Sequence, residues 1–577
     1  MRLDRPTRPL LMGSRHVVSA GHYLAAEAGM RIFARGGNAI DAGVAAGLAI
    51  NVVQSDLTNL GGVAPIMIRR ADGVMETIAG VGTWPAAVDV DAFRREHGGR
   101  IPRGVRRSIV PAALAAWTTA LERHGSLTFG EVAAPALELA EDGFAMHDVM
   151  RDTILDPDAL PYVRQWPGSR AVFLDAAGDP LPIGARVRQP VLARTFRRLI
   201  AAEQGAATRE AGLAAVRDLF YRGDIAEEMV RFSNAEGGWL SREDLAIYRV
   251  EIGVPLRIRY RDTEVYACGP WCQGLVVPET LAILERYPIG TLEPFGADHL
   301  HLVLEALKAA FADRERYIGD PRFVEVPIEG MLSRAYAEAW QRRIDPRRAS
   351  EGMPEAGDAW AHQGVGRATE PWAAPRPSVG AVGPDTSYVA TVDAAGNIFS
   401  ATPSDAAWDA PFVPGLGITI SGRGTQSFLA PGHPSVVAPG KRPRLTPSPG
   451  IVTRGERFAM AYGTPGLDVQ PQAMVQMVVG MVDFGLDPQV AIEAPRVATY
   501  SFPASSDPHP YQPGLARGES RLGAETLAEL ARRGHRMERW PAYARAAGSL
   551  GAAGYDRDGG YLFGAADTRR IAYAIGR

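Results

Sequence analysis

The sequence changes character near residue 385, and this change constrains the fold more than any other feature. From roughly residue 107 to 345, apolar residues recur mainly at helical spacing. Residues 351–384 then hold five prolines among many Gly and Ala residues, without periodicity, which is typical of a linker or mobile loop. From Thr386 onward, short apolar runs alternate with turn residues. A boundary between two functional pieces is therefore predicted at Thr386.

Two helices are predicted near the start of the chain, in "YLAAEAGMRIFARGGNAIDAGVAAGLAI". Leu24, Ala28 and Ile32 share one helical face, and the pair Gly36 and Gly37 ends that helix. A second, Ala-rich helix follows from about Ala39. Its many small residues indicate tight helix packing.

A further helix is predicted in "DHLHLVLEALKAAF". Asp298 is placed to cap it, and the Leu residues that follow line one side. His299 and His301 are two residues apart, so they point in different directions and do not suit a shared metal ion. Both are expected on the solvated surface.

The last third of the chain is predicted to form β-hairpins. "SYVATV" and "IFSA" flank the turn residues "DAAGN", "GIV" and "RFAMAY" flank "TRGE", and a last hairpin surrounds "DRDGG". A helix is expected in "QPQAMVQMVVGMVDFG".

Composition favours small molecules or proteins as partners. The 62 Lys and Arg residues nearly balance the 65 Asp and Glu residues, so no positive excess indicates binding to nucleic acid or to an anionic membrane. Cys268 and Cys272 are the only cysteines, which excludes a disulfide framework and suits a reducing compartment. They lack a second cysteine pair or a nearby His for zinc, and no metal or cofactor is expected. Without a recognisable signal peptide or membrane span, a cytoplasmic location is expected.

The chain lacks the serine-nucleophile, phosphate-loop and zinc-protease motifs G-x-S-x-G, G-x-x-x-x-G-K-[ST] and H-E-x-x-H. Thr386, in "GPDTSYVATVDAAGN", remains as a candidate nucleophile. A terminal Thr can use its own α-amino group as the base, but an internal peptide nitrogen is not basic. A catalytic Thr386 would therefore need the bond to Asp385 cut first. The alternative is an ordinary strand opening.

The chain resembles the γ-glutamyltranspeptidase family of N-terminal-nucleophile hydrolases over almost its whole length. Besides "DTSYVATVDAAGN", the family-like segments include "AAEAGMRIFARGGNAIDAGVAA", "EALKAAFADRERYIGDP", "GKRPRLTPSPGIV", "GTPGLDVQPQAMVQMV" and "GAADTRR". The resemblance implies a proenzyme that cuts itself between Asp385 and Thr386. The large subunit would be residues 1–385, with a mobile end at about 351–385, and the small subunit residues 386–577. Together they would form one α+β, four-layer αββα sandwich. The two fragments would associate, and a homodimer of this processed heterodimer is a further expectation.

By the same resemblance, Thr386 is the nucleophile and its freed amine is the base. Ser404 falls where the family has a second hydroxyl that bonds the nucleophile, although an ordinary turn Ser is the alternative. Gly466 and Leu467 align with a glycine pair whose N–H groups form the oxyanion hole, and a plain turn before a helix is the alternative here.

The substrate pocket departs from the family. "GVGTWP", residues 80–85, has no arginine where the family has one, and "SGRGTQSF" supplies no carboxylate for a substrate ammonium. Leu445 and Thr446 stand in place of paired serines. The candidate substrate-binding residues are the cations Arg423 and Arg444, the polar residues Gln426 and Thr446, and Trp408 with Trp84 as an apolar wall. Exposed loop arginines and buried tryptophan packing are the alternatives.

The function predicted from these features is a threonine hydrolase or acyltransferase that opens an amide bond through an acyl-enzyme. Its acyl group is expected to be acidic or aromatic rather than γ-glutamyl. Three alternatives remain: a true γ-glutamyl hydrolase or transpeptidase for glutathione-like compounds, a biosynthetic homologue that cleaves a C–C bond, and a non-catalytic scaffold.

Overall fold

The computed structural model describes residues 6–364, 376–378 and 385–577. Most of the predicted mobile loop, residues 365–375 and 379–384, lies outside the described residues.

The strands of the described chain are short. They are β1 (Leu11–Gly13), β2 (His16–Ala20), β3 (Ile66–Arg69), β4 (Met75–Ala79), β5 (Phe144–Ala145), β6 (Arg186–Val187), β7 (Glu251–Gly253), β8 (Leu256–Tyr260), β9 (Thr263–Ala267), β10 (Val389–Asp393), β11 (Ile398–Ala401), β12 (Gly450–Arg454), β13 (Phe458–Gly463), β14 (Val497–Thr499), β15 (Leu515–Glu519), β16 (Arg536–Trp540), β17 (Gly551–Asp556), β18 (Tyr561–Ala566) and β19 (Tyr573–Gly576).

The α-helices lie mostly before residue 345. They are α1 (Tyr23–Ala34), α2 (Ala39–Val53), α3 (Val90–His97), α4 (Ala113–His124), α5 (Phe129–Asp142), α6 (Asp148–Leu155), α7 (Leu160–Gln165), α8 (Pro167–Phe173), α9 (Pro190–Gln204), α10 (Arg209–Tyr221), α11 (Asp224–Ala235), α12 (Arg242–Ile247), α13 (Val276–Leu284), α14 (Ala297–Tyr317), α15 (Ile328–Met331), α16 (Arg334–Arg343), α17 (Val469–Val482), α18 (Pro488–Glu493) and α19 (Ala524–Arg532).

Two seven-stranded antiparallel sheets dominate this mixed α/β structure. One has the order β19-β2-β10-β11-β3-β4-β7 and the other β1-β18-β17-β13-β12-β9-β8. Five pairings join strands from opposite sides of residue 385: β19 with β2, β2 with β10, β11 with β3, β1 with β18, and β12 with β9. The two parts of the chain therefore share both sheets.

The three predicted hairpins are confirmed as β10–β11, β12–β13 and β17–β18. In the first, Gly396 adopts φ +91° in the turn, a conformation that a side chain disfavours. The predicted helix after "GTPGL" is confirmed as α17. The strand-rich character of the last third is thus as the sequence predicts.

The small residues of α2 permit close packing. A Cβ on Gly43 would lie 2.3 Å from the Phe399 ring, and one on Gly47 would lie 2.6 Å from the Trp117 ring. Every residue of α2 is buried, and its start is capped by Asn38. Helices α1 and α2 are confirmed, and the predicted tight packing is the reason for the Ala- and Gly-rich sequence of α2.

Helix α14 differs from the prediction in two respects. Its N-cap residue is Gly296, without a side-chain bond, while Asp298 pairs with Arg533 instead. His299 and His301 are buried, not solvated. The apolar pattern predicted one buried face, but α13, α19 and β14 also contact this helix, so its polar side chains are enclosed too. His301 accordingly lies 3.0 Å from the ring of His535 and 2.8 Å from the Asp345 carbonyl.

No helix in the described part of the chain is long and apolar enough to cross a membrane. Among the same residues, no group of three His, Cys, Asp or Glu side chains is arranged to hold a metal ion. Cys268 and Cys272 are buried free thiols.

Candidate active site

Thr386 lies fully buried just before β10, in a chain that is continuous through Asp385. Its Oγ1 is 3.0 Å from Ser404 Oγ, and the two residues form an isolated antiparallel bridge. The following Ser387 hydroxyl donates to Gln54 Oε1 at 2.6 Å. Gly21 lets this segment approach, because a Cβ there would lie 2.2 Å from Ser387 Oγ. The end of α2 and the end of β2 therefore fix the position of Thr386.

Two donors converge on the carbonyl oxygen of Asp385, the group immediately before Thr386. Ser404 Oγ donates to it at 2.8 Å and Arg423 Nη2 donates at 2.5 Å. Arg423 Nη2 also contacts Ser404 Oγ. Ser404 thus touches both the candidate nucleophile and the adjacent carbonyl. A buried guanidinium on a carbonyl oxygen polarises that carbonyl toward attack.

Arg423 is positioned by a short 3₁₀ helix, Gly422–Gln426, which Asp405 anchors. The Asp405 carboxylate accepts from the Ser421 hydroxyl at 2.5 Å and from the Gly422 N–H at 2.8 Å. Burial raises the pKa of Asp405 to about 6, although Arg423 acts in the opposite direction. Burial also lowers the pKa of Arg423, while the nearby Asp405, Asp409 and Asp385 raise it. The buried cation is therefore surrounded by acidic groups.

The Gly466–Leu467 turn lies at the start of α17, with positive φ at both residues, +128° and +52°. Positive φ is uncommon for Leu, so this turn is strained locally. The Gly466 N–H donates to Asp385 Oδ1 at 2.7 Å. In the uncut chain this donor therefore binds the Asp385 side chain rather than the Asp385 carbonyl. The predicted oxyanion-hole role of Gly466 and Leu467 remains a prediction.

Arg570 holds the other oxygen of the same carboxylate. Its Nη2 is 2.5 Å from Asp385 Oδ2 and donates to the Arg545 carbonyl at 3.3 Å. The side chain is 5% exposed. Its Nε and Nη1 have no hydrogen-bond partner among the residues that the structure describes. Sequence reasoning did not select Arg570, although "GAADTRR" was one of the family-like segments.

Gln470, in α17, is a further residue that the sequence did not single out. Its amide lies 3.3 Å from Thr386 Oγ1. With its nitrogen turned to the carbonyls of Thr446 and Thr464, at 3.1 and 3.3 Å, every polar atom of the amide finds a suitable partner. In that orientation the amide oxygen faces Thr386 and accepts a hydrogen bond from the Thr386 hydroxyl.

Gln426 and Thr446 bond to each other. Gln426 Nε2 donates to Thr446 Oγ1 at 2.8 Å, and the Thr446 N–H donates to Gln426 Oε1 at 3.0 Å. Their predicted contact with a substrate is untested. The Thr446 carbonyl also lies beside the Gln470 amide, which contacts Thr386.

Arg444 is a buried, ion-paired residue and not an exposed loop arginine. It donates to Glu315 at 2.7 Å and to the Arg314 carbonyl at 2.9 Å. His433 approaches the other oxygen of Glu315 at 3.0 Å. Despite burial, Arg444 and Arg314 hold the pKa of Glu315 well below its usual range. The guanidinium of Arg444 already has a protein anion in Glu315. Substrate binding by Arg444 stays a prediction.

Trp84 and Trp408 are both buried. Trp84 donates from Nε1 to Ser427 Oγ at 3.0 Å and packs edge-on against Phe93. The guanidinium of Arg103 lies 4.9 Å from the Trp408 ring centre. Buried packing thus accounts for both residues, and a role as a substrate wall is untested.

Thr386 is one of the residues that line a small cleft. Its lining includes Gln54, Ser387, Pro465, Ser549 and Arg570. A hydroxyl residue in the lining of a cleft, next to a polarised carbonyl, is an arrangement suited to acyl transfer.

A family model described as gamma-glutamyltranspeptidase matches residues 25–576. The acylase ACY 1 proenzyme of Pseudomonas sp. (strain V22) is 33% identical over 571 residues, which covers 96% of this chain and 92% of that protein. The oxamate amidohydrolase proenzyme of Klebsiella pneumoniae subsp. pneumoniae is 29% identical over 568 residues, covering 96% and 97%. A crystal structure of a cephalosporin acylase from Bacillus halodurans aligns with a TM-score of 0.84 at 26% identity, covering 100% of this chain and 98% of that one.

Proposed function

Because this chain belongs to the γ-glutamyltranspeptidase family, we propose that it cuts its own Asp385–Thr386 bond and then hydrolyses amides through an acyl-threonine. Its relatives are named as hydrolases, and the protein is an enzyme of this class. The observation that carries the proposal is the pair of donors on the Asp385 carbonyl. One of them, Ser404, also contacts Thr386 Oγ1.

In the maturation step, Thr386 Oγ1 adds to the Asp385 carbonyl carbon while Arg423 and Ser404 stabilise the developing oxyanion. The C–N bond then breaks, and the Thr386 nitrogen takes up the proton that the hydroxyl loses. This leaves an ester between Asp385 and Thr386. Water hydrolyses the ester, so the large subunit ends in a carboxylic acid and Thr386 gains a free amine.

In the catalytic cycle, that amine is the base. An α-amino group has a pKa of roughly 7.7 to 8.0, so a useful share is neutral near pH 7. It accepts the Thr386 hydroxyl proton as Oγ1 attacks the substrate carbonyl, and it passes the proton to the leaving amine. The backbone of Gly466 and Leu467 would bind the oxyanion once the Asp385 carboxylate has left. Water then releases the acid and regenerates Thr386.

The acyl group is proposed not to be a standard γ-glutamyl. A glutamyl substrate carries an ammonium group, but Arg423 places a buried cation beside Ser404 and Thr386. The nearby acidic groups Asp405 and Asp409 already compensate Arg423, and the segment "SGRGTQSF" offers no further carboxylate for an ammonium. We therefore assign an acyl group without an ammonium, acidic or aromatic in character.

The proposal includes the assembly of the fragments. The faces of the two sheets contact each other through β10 with β17 and β2 with β18, α2 contacts β10 and β11, and α13 contacts β8 and β9. These contacts support a four-layer αββα sandwich built from both fragments. We further propose that the processed pair stays associated in the cytoplasm, and that two pairs form a homodimer.

The test is to follow the purified protein by denaturing gel and N-terminal sequencing, then assay it with γ-glutamyl, glutaryl and aryl-acyl anilides. We expect two fragments, the smaller beginning at Thr386, and poor turnover of the γ-glutamyl compound. Full amide hydrolysis by an uncut chain would contradict the mechanism. Efficient γ-glutamyl turnover would contradict the specificity.

A further inference from the structure

The Asp385 carboxylate binds two groups that face the nucleophile from different elements. Oδ1 accepts from the Gly466 N–H at the start of α17, and Oδ2 pairs with Arg570 before β19. The two oxygens share one carbon. Arg570 therefore lies about one carboxylate width from the backbone donor that is proposed to hold a substrate oxyanion.

Arg570 needs an anion at this place. Its side chain is 5% exposed, and its Nε and Nη1 have no partner among the described residues. Arg545 is a second cation close enough to repel Arg570, while the carboxylates of Asp56 and Asp385 attract Arg545. Arg545 is itself engaged by the Thr153 hydroxyl at 2.5 Å. A buried guanidinium that loses its anion is an uncompensated charge, which is energetically unfavourable.

Asp385 is expected to leave the site after maturation. It precedes the bond that maturation breaks, and it becomes the last residue of the large subunit. The Gly466 N–H and the Arg570 guanidinium would then open toward the cleft that reaches Thr386. A guanidinium binds carboxylates in preference to neutral acyl chains.

We infer that Asp385 is a built-in stand-in for the substrate, and that Arg570 of the matured enzyme binds a carboxylate carried by the acyl group. This inference rests on the proposed function and narrows its substrate class. With the reacting carbonyl oxygen on Gly466, Arg570 reaches a carboxylate bonded to that carbonyl or one or two carbons away. The predicted substrates are monoamides of short dicarboxylic acids.

The test measures ammonia release by matured enzyme from oxamate, malonamate, succinamate and glutaramate, with propionamide and butyramide as neutral controls. We expect the short carboxylates to be preferred over glutaramate and over the neutral amides. Arg570→Gln should raise KM for the carboxylate amides about ten- to hundredfold, with kcat much less affected and neutral amides unchanged. Arg570→Lys should be intermediate. Equal effects of Arg570→Gln on charged and neutral amides would overturn the inference.

Asp385→Asn provides the matched control. Its matured small subunit is identical to the wild type, so its kinetic constants should be identical even if its maturation rate differs. A changed KM in the fully matured Asp385→Asn enzyme would contradict the departure of Asp385.

Binding separates this inference from the proposed function and does not need the variant to mature. Matured wild-type enzyme should be stabilised against thermal unfolding by succinate or oxamate, and not by butyramide. Such binding without any amide turnover would retain the Arg570 site and reject the proposed reaction. Turnover of neutral amides with no carboxylate binding would retain the proposed reaction and reject the Arg570 site.

Discussion

At the scale of single residues, Thr386 Oγ1 is the nucleophile in both proposed reactions, maturation and amide hydrolysis. Thr386→Ala removes the hydroxyl, so we expect a single uncut chain without amidase activity. Thr386→Ser keeps a hydroxyl and should still split, more slowly. Intact mass spectrometry after prolonged incubation measures both outcomes. Cleavage of the alanine variant at the same bond would remove Thr386 from the mechanism.

Arg423 allows a second residue-level prediction. Because it donates to the Asp385 carbonyl, Arg423→Gln should slow maturation by about 10²-fold or more, the usual cost of losing an oxyanion donor. The measurement is the fraction of cut chain against time on a denaturing gel. Arg454→Gln, at a partly exposed arginine of β12, is the matched control and should mature normally. Equal rates for the two variants would show that Arg423 does not assist cleavage.

The residues of the candidate site could be predicted from sequence only where one motif contains them. Thr386 and Ser404 lie in short recognisable segments, and the structure brings them within hydrogen-bond distance. Arg423 was selected as a substrate cation, but in the uncut chain it holds the Asp385 carbonyl. Arg570 was missed, because its importance depends on a contact with Asp385, from which it is remote in sequence. A local sequence pattern cannot predict a contact between residues so far apart in the chain.

At the scale of elements, the 3₁₀ helix that carries Arg423 depends on Asp405, and this dependence has a pH signature. Burial raises the pKa of Asp405 from its ordinary value near 3.8 to about 6. Folding therefore favours the protonated acid, so this contribution to stability is present at low pH and is lost as the pH rises from near 3.8 to about 6. The stability of the wild type should rise relative to Asp405→Asn as pH falls from 7 to 4, by on the order of 2–3 kcal/mol.

Urea denaturation of both proteins in the uncut Thr386→Ala background, at several pH values, checks this prediction. Parallel pH profiles would contradict it.

The buried pair of Glu315 in α14 and Arg444 before β12 allows another prediction at this scale. Glu315→Gln leaves the buried Arg444 guanidinium without its anion, while Arg314 keeps its ion pair with Asp468, and this should destabilise the fold by about 3–5 kcal/mol. The measurement is the denaturation midpoint. Arg444→Met should partly rescue this variant, because it removes the guanidinium that has lost its anion. A double variant that is less stable than Glu315→Gln would argue against the electrostatic explanation.

At the scale of the whole molecule, the elements were more predictable than their arrangement. The hairpins and α17 follow from local alternation and turn residues, which the sequence contains. The enclosure of α14 on several sides could not be predicted, because it depends on α19 and β14 from the distant end of the chain. The sharing of both sheets between the two parts of the chain has the same origin. It results from pairings such as Val389 with Ala20, which are remote in sequence.

This sharing predicts how the cut protein behaves. Since five strand pairings cross between the fragments, matured protein should elute as one species in native size-exclusion chromatography. The fragments should separate only in denaturant, at the concentration where circular dichroism reports loss of structure. Separation in native buffer would contradict the interleaved arrangement.

The same interleaving gives the break a second meaning. Ser404 forms a bridge with Val63 and Ser387 bonds to Gln54, both remote in sequence, so an unfolded chain would lack the geometry to cut itself. The nick is then a permanent record that a given molecule has completed its folding. Only molecules bearing that record would carry a free threonine amine, so defective copies would never become active.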